Sequence, residues 1–178
     1  KKTPDNSTFE YICDEYIKLN KNLINNPNPR KFKKGYIMGS HWYPANGTLR
    51  DYMYIKHNLL GLTIEYSSKK NPSDKKVEEI YKQNKLSSLR FLELALDSCQ
   101  FVVKDQNENP IDNVKLIINE TCNAYYSNKT GYLNFLVKPG EYNIQIIKEN
   151  YQILNKKITV PCKINNIILR ENIVRPQK

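Results

Sequence analysis

From about Ser98 to Arg170 apolar and polar residues alternate with period two, in seven short runs: CQFVVKD, NVKLIIN, CNAYYS, GYLNFLV, EYNIQIIK, KKITV and NNIILR. A strand sends successive side chains to opposite faces, so each run can bury one face and wet the other. The stretches between them, ENP, SNKTG, KPG, KENY and PCK, are built from Gly, Pro, Asn and charged residues that make turns. Seven short strands at this spacing predict a small β-sandwich.

Before Ser98 the period is helical. Residues 5–19 place Phe9, Ile12, Cys13, Tyr16 and Ile17 at helical spacing, with Asp5 or Ser7 as the N-cap. Ser73 or Asp74 opens a second helix with Val77, Ile80, Tyr81, Leu89, Leu92 and Leu96 as its apolar positions. NNPNPRKFKKG, from Asn25, reads as loop. The chain therefore divides into an α/β part, 1–97, an all-β part, 98–173, and a short tail, 174–178. Two helices and a pair of strands cannot surround a sheet, so the first part is expected to need more chain upstream. The chain opens Lys1-Lys2-Thr3-Pro4 without an initiator Met, which is expected either from removal of a leader or from the tail of a longer chain.

The net charge is +10, but its basic residues are scattered as short runs such as Arg30-Lys31 and Lys156-Lys157. No nucleic-acid-binding module accompanies them, so the charge reads as solvated surface and no nucleic-acid partner is expected. No apolar run approaches the roughly 20 residues that span a bilayer. Four cysteines, Cys13, Cys99, Cys122 and Cys162, stand too far apart for a zinc ribbon or a C-x-x-C redox pair. Asn-x-Ser/Thr sequons fall at Asn6, Asn46, Asn119 and Asn128. An even cysteine count with several sequons points to a secreted or secretory-pathway protein. Four cysteines allow three pairings. The layout suggests Cys122 with Cys162 inside the sandwich, and Cys13 with Cys99 tying the first helix to the boundary.

One carboxylate lies in an otherwise apolar segment. In LTIEY, Leu62 and Ile64 alternate with Thr63 and Glu65, which predicts a strand with Glu65 on the face opposite the aliphatic pair. Two readings follow: an edge strand with its polar face in water, or a strand-end base facing a cleft.

TPDNSTFEYICDEY, GSHWYPANGTLRDYMY, LTIEYSSKKNP and NKLSSLRFLE, in that order, resemble the C-terminal part of the catalytic domain of zinc metallocarboxypeptidases of the carboxypeptidase N, D and E subgroup. Residues 98–172 resemble the transthyretin-like domain that follows catalysis in that subgroup, through KDQNENPIDNVKL, SNKTGYLNFLVKPGEYNI and ENYQILNKKITV. The resemblance implies a protein that hydrolyses single C-terminal residues from peptides or proteins. Tyr43 and Glu65 stand 22 residues apart, the family's interval between its Tyr turn and its catalytic Glu. It implies that Glu65 takes a proton from a zinc-bound water and passes it to the leaving amine. It implies also that Tyr43 closes over the bound residue with its hydroxyl on the substrate.

Several positions depart from the family pattern. Gly47-Thr48 stands where the family has two glycines, which puts the loop geometry in question because a β-branched Thr resists positive φ. Arg50 stands where the subgroup has a Gln on the floor of its specificity pocket. A guanidinium there repels basic side chains and can clamp a terminal Asp or Glu bidentately, or it can pair with a nearby acid and leave the pocket apolar. The Asn46 sequon lies inside the implied site, where a glycan would obstruct entry.

The family's zinc ligands, a His-x-x-Glu pair and a later His, have no counterpart in this sequence, and its two histidines, His41 and His57, fall at neither position. The zinc ligands are expected upstream, and the chain as given is expected to bind no catalytic zinc. Two functions stand: an enzyme represented by the last third of its catalytic domain plus the sandwich, or a catalytically inactive relative that binds or scaffolds.

Overall fold

The computed structural model describes residues 3–23, 34–121, 123–162 and 164–172. The chain divides into two compact units, one of residues 9–94 and one of residues 1–8 with 95–178.

The unit of residues 9–94 is built from helices. They are α1 (Asn6–Leu19), a single 3-10 turn (Lys21–Leu23), α2 (Gly39–Trp42), α3 (Leu49–His57) and α4 (Asp74–Glu93). Ile12, Tyr16, Ile17 and Leu94 are buried in it. A polar seam joins α1 to α4. Asn84 Oδ1 accepts from Tyr16 Oη at 3.1 Å and from Asn20 Nδ2 at 2.8 Å. The Ser87 hydroxyl donates to the Tyr16 carbonyl at 2.7 Å. Arg90 grips Glu15 Oε2 through Nε at 3.0 Å and Nη2 at 2.8 Å. Buried polar groups must find partners, and this seam supplies them from both helices.

The seam reverses one expectation. α4 turns Asn84 and Ser87 inward, while Val77, Tyr81, Leu89 and Leu92 are exposed. The polar partners of α1 are interleaved with the apolar positions, Asn84 lying two turns beyond Val77, and α1 covers the polar ones. A second expectation also changes. Residues 58–67 form no strand, and no strand lies in this unit among the described residues. The alternation survives in exposure, since Leu62 and Ile64 are half-buried while Thr63 and Glu65 are exposed. Alternation sets which side chains are covered, whereas a ladder needs a neighbouring strand to take up the backbone N–H and C=O groups.

Among the described residues the second unit is a two-sheet sandwich of seven strands. They are β1 (Cys99–Lys104), β2 (Lys115–Ile118), β3 (Asn123–Tyr126), β4 (Tyr132–Phe135), β5 (Gly140–Ile147), β6 (Leu154–Val160) and β7 (Asn165–Ile168). One sheet has the order β4-β1-β7 and the other β3-β2-β5-β6. All pairs are antiparallel except β1 with β7, which run parallel with Phe101 opposite Asn165. Residues at alternate positions, among them Phe101, Val103, Leu116, Ile118, Leu133, Phe135, Ile144 and Ile146, form one core. Phe135 links the sheets, its ring 5.9 Å from Phe101 in its own sheet and 5.2 Å from Tyr125 in the other.

Two local devices hold the ends. Gly131 has φ +73°, and a Cβ there would lie 2.3 Å from the Val103 carbonyl, so no side chain fits. Buried Ser127 donates its hydroxyl to the Ile111 carbonyl at 2.8 Å and accepts from Val114 N at 2.9 Å. Residues at the start of the chain join this unit too. Thr8 Oγ1 accepts from Lys138 N at 3.2 Å, and Asp5 accepts from Asn123 Nδ2.

The disulfide layout differs from the expected one. Cys99 pairs with Cys162, and Cys13 is a free thiol, so neither Cys122–Cys162 nor Cys13–Cys99 forms. The reason is the parallel ladder. Cys99 opens β1 and Cys162 precedes β7, so a parallel β1–β7 pair brings these ends together, with Cα atoms 4.6 Å apart. Cys122 lies outside the described residues.

Candidate active-site segment

The Tyr43 turn, α3 and the segment to Glu65 lie within the helical unit. Tyr43 is the C-cap of α2, in extended backbone, with its N–H donating to the Gly39 carbonyl at 3.1 Å. Its ring sits edge-on to Trp42 at 5.1 Å, and the residue is 57% exposed.

The loop after Tyr43 answers the question raised by Gly47-Thr48. Gly47 takes the left-handed position at φ +70°, and Thr48 sits at φ −71° and ψ 159°, where a β-branched residue is unstrained. Thr48 is the N-cap of α3. Its Oγ1 accepts from Asp51 N at 3.2 Å, and Asp51 Oδ2 accepts from Thr48 N at 2.9 Å. This capping box is a signal that the motif reading passed over. The Thr-x-x-Asp that opens TLRDYMYIKH marks a helix start. The backbone N–H of Thr48, then its side chain, holds the Asp51 carboxyl below the usual carboxylate range.

α3 then places Arg50 in its first turn. Arg50 Cγ lies 3.5 Å from where a Cβ on Gly61 would be, and its Nη2 lies 3.7 Å from the equivalent point on Gly39. The side chain therefore runs from the 61–65 segment to the start of α2, over two residues that lack side chains. Arg50 is exposed and has no ion pair among the described residues. The Arg50 charge does contribute to holding the adjacent Asp51 carboxyl low, so an acid faces it from its own helix.

Glu65 is exposed and makes no hydrogen bond or ion pair among the described residues. In this chain it is a solvated carboxylate and not a strand-buried one, because no strand is there to bury it. His41, in α2, and His57, at the end of α3, are both exposed; the His57 ring rests edge-on against Tyr52 at 5.6 Å. Among the described residues no group of three or more His, Cys, Asp or Glu could hold a metal ion. The donor set for a catalytic zinc does not exist in this segment, since such a site takes three convergent protein ligands.

Residues 1–87 match the family model described as zinc carboxypeptidase. Carboxypeptidase M of Mus musculus is 29% identical over 90% of this chain and 38% of its own length. Carboxypeptidase D of Rattus norvegicus is 25% identical over 96% of this chain and 12% of its own. Carboxypeptidase Z of Gallus gallus is 24% identical over 98% and 28%. The chain thus spans well under half the length of these relatives. Among solved structures, the Bacillus anthracis TIE protein overlaps 42% of the chain at a TM-score of 0.36 and 12% identity, too slight a likeness to bear on function.

Proposed function

We propose that this chain is the C-terminal part of a zinc metallocarboxypeptidase catalytic domain, residues 1–97, followed by a transthyretin-like sandwich, 98–173. The full-length protein removes single residues from peptide and protein C-termini in the secretory pathway. The observation that carries the reading is the family match over residues 1–87, which contains both Tyr43 and Glu65. The matches to carboxypeptidases M, D and Z run on past residue 98, which supports reading the sandwich as part of the same protein. The exposed apolar side chains of α3 and α4, among them Leu49, Ile55, Val77, Tyr81, Leu89 and Leu92, support a unit that packs against further protein.

The zinc that this family carries finds no ligands among these residues, so the chain's own contribution is proton transfer and recognition. Glu65 accepts a proton from the attacking water and returns it to the leaving amine. Tyr43 donates its hydroxyl to the substrate and screens the reacting bond with its ring. Arg50 receives the carboxylate of a C-terminal Asp or Glu side chain.

The Asn46 sequon, exposed three residues after Tyr43, favours the inactive binding relative. One experiment separates the two. Glu65→Gln in the full-length protein is expected to lower kcat by about 10² or more with the fold intact. An active wild type whose Glu65→Gln variant retains its rate removes Glu65 from the mechanism, and an inactive wild type favours the binding relative.

A further inference from the structure

We propose that Asn128 is an N-glycan attachment site, an inference that rests on the secretory-pathway reading above. The turn of residues 127–131 carries the chain from β3, in the four-stranded sheet, to β4, in the three-stranded one. Asn128, Lys129 and Thr130 are all exposed on it.

The Asn128 carboxamide is oriented. Its Oδ1 accepts three hydrogen bonds, from Thr130 N at 2.9 Å, Thr130 Oγ1 at 2.8 Å and Tyr132 N at 3.0 Å. Its Nδ2 makes no hydrogen bond among the described residues. The oxygen is committed to the turn, and the nitrogen, the atom that carries an N-glycan, is left over. The hydroxyl of the sequon's third residue is one of the three donors that fix the oxygen.

The chemistry leaves this arrangement intact. Transfer from a lipid-diphosphate-linked oligosaccharide forms a bond from Nδ2 to the anomeric carbon and breaks that carbon's bond to the diphosphate oxygen. The lipid diphosphate leaves and Nδ2 gives up one proton. The product is a secondary amide whose oxygen remains an acceptor, so all three turn hydrogen bonds survive.

The other sequons lack this combination. Asn6 is half-buried in the first turn of α1, and the Asn119 sequon ends in buried Thr121. Asn46 is exposed, but its Thr48 hydroxyl is half-buried and caps α3.

The test is to secrete the full-length protein from eukaryotic cells and treat it with a peptide-N-glycan amidase in heavy-oxygen water. Labelled Asp is then sought at residue 128 by peptide mass spectrometry. The expected result is label at 128, lost in Asn128→Asp. That variant keeps an acceptor oxygen for the same three donors, so its secretion level is unchanged. An unlabelled Asn128 overturns the inference. If another sequon is labelled, or Cys99–Cys162 is bridged, only the site has failed. If no sequon is labelled and both cysteines are free thiols, the secretory reading fails with it.

Discussion

Thr48 and Asp51 cap each other: the hydroxyl of one accepts the amide of the other, and the carboxylate of the second accepts the amide of the first. The pair starts α3 and so fixes the helix that carries Arg50. Thr48→Ala is expected to lower stability by about 1 kcal/mol, and Thr48→Gly by a few tenths. Urea denaturation of the two variants measures the difference. Asp51 holds its proton less firmly in the folded state, so its contribution is present above the ordinary carboxylate pKa. It fades as pH falls through the lower folded value.

Cys99 and Cys162 close a loop of 63 residues' separation. Chain-entropy accounting gives such a bridge about 4 kcal/mol. Non-reducing peptide mapping is expected to return the Cys99–Cys162 pair. Replacing both with Ala is expected to lower the denaturation midpoint of the sandwich, with Cys13 still alkylable after unfolding.

The helical unit is expected to weaken in alkali. Burial, with Asp14 and Glu10 nearby, pushes the Cys13 thiol up to about 11 from an ordinary value of 9.0. Burial also raises Tyr16, and burial followed by its bond to Asp14 raises Tyr36. All three hold their protons more firmly when folded. Their stabilisation is complete below the unfolded pKa values and is lost as pH rises through the folded ones. Urea midpoints should therefore hold level to about pH 9 and fall above it. Cys13→Ala should flatten the first part of that fall.

Arg50 gives the specificity prediction. In the full-length protein, Arg50→Gln is expected to lower kcat/KM for a C-terminal Glu by about tenfold or more, while a C-terminal Leu changes little. Peptides that differ in the last residue measure the ratio. An unchanged ratio removes Arg50 from the pocket.

The seven strands were legible because each satisfies two independent signals, alternation within the run and turn residues at its ends. The helical unit was harder to read. α1 and α4 were visible as elements, but the buried side of α4 was not, since Asn84 and Ser87 look like surface residues until Tyr16 and Asn20 are set beside them. α3 was hidden by the prominence of the Tyr-Pro turn before it. At Glu65 the alternation set the carboxylate opposite Leu62 and Ile64 and wrongly predicted a ladder, because pairing depends on a neighbour that no local pattern encodes. The cysteine pairing was unreadable for the same kind of reason: it follows from a parallel contact between the first and last strands.

That contact has a bearing on synthesis. β1 lies between β4 and β7, and β7 is the last strand among the described residues. A ribosome must therefore deliver nearly all of the sandwich before the first strand acquires its second neighbour. During that interval the open edge of β1 can recruit a strand from another nascent copy. A chain cut before Asn165 keeps the edge open permanently, and its expected failing is aggregation in the cell and not the loss of one surface feature.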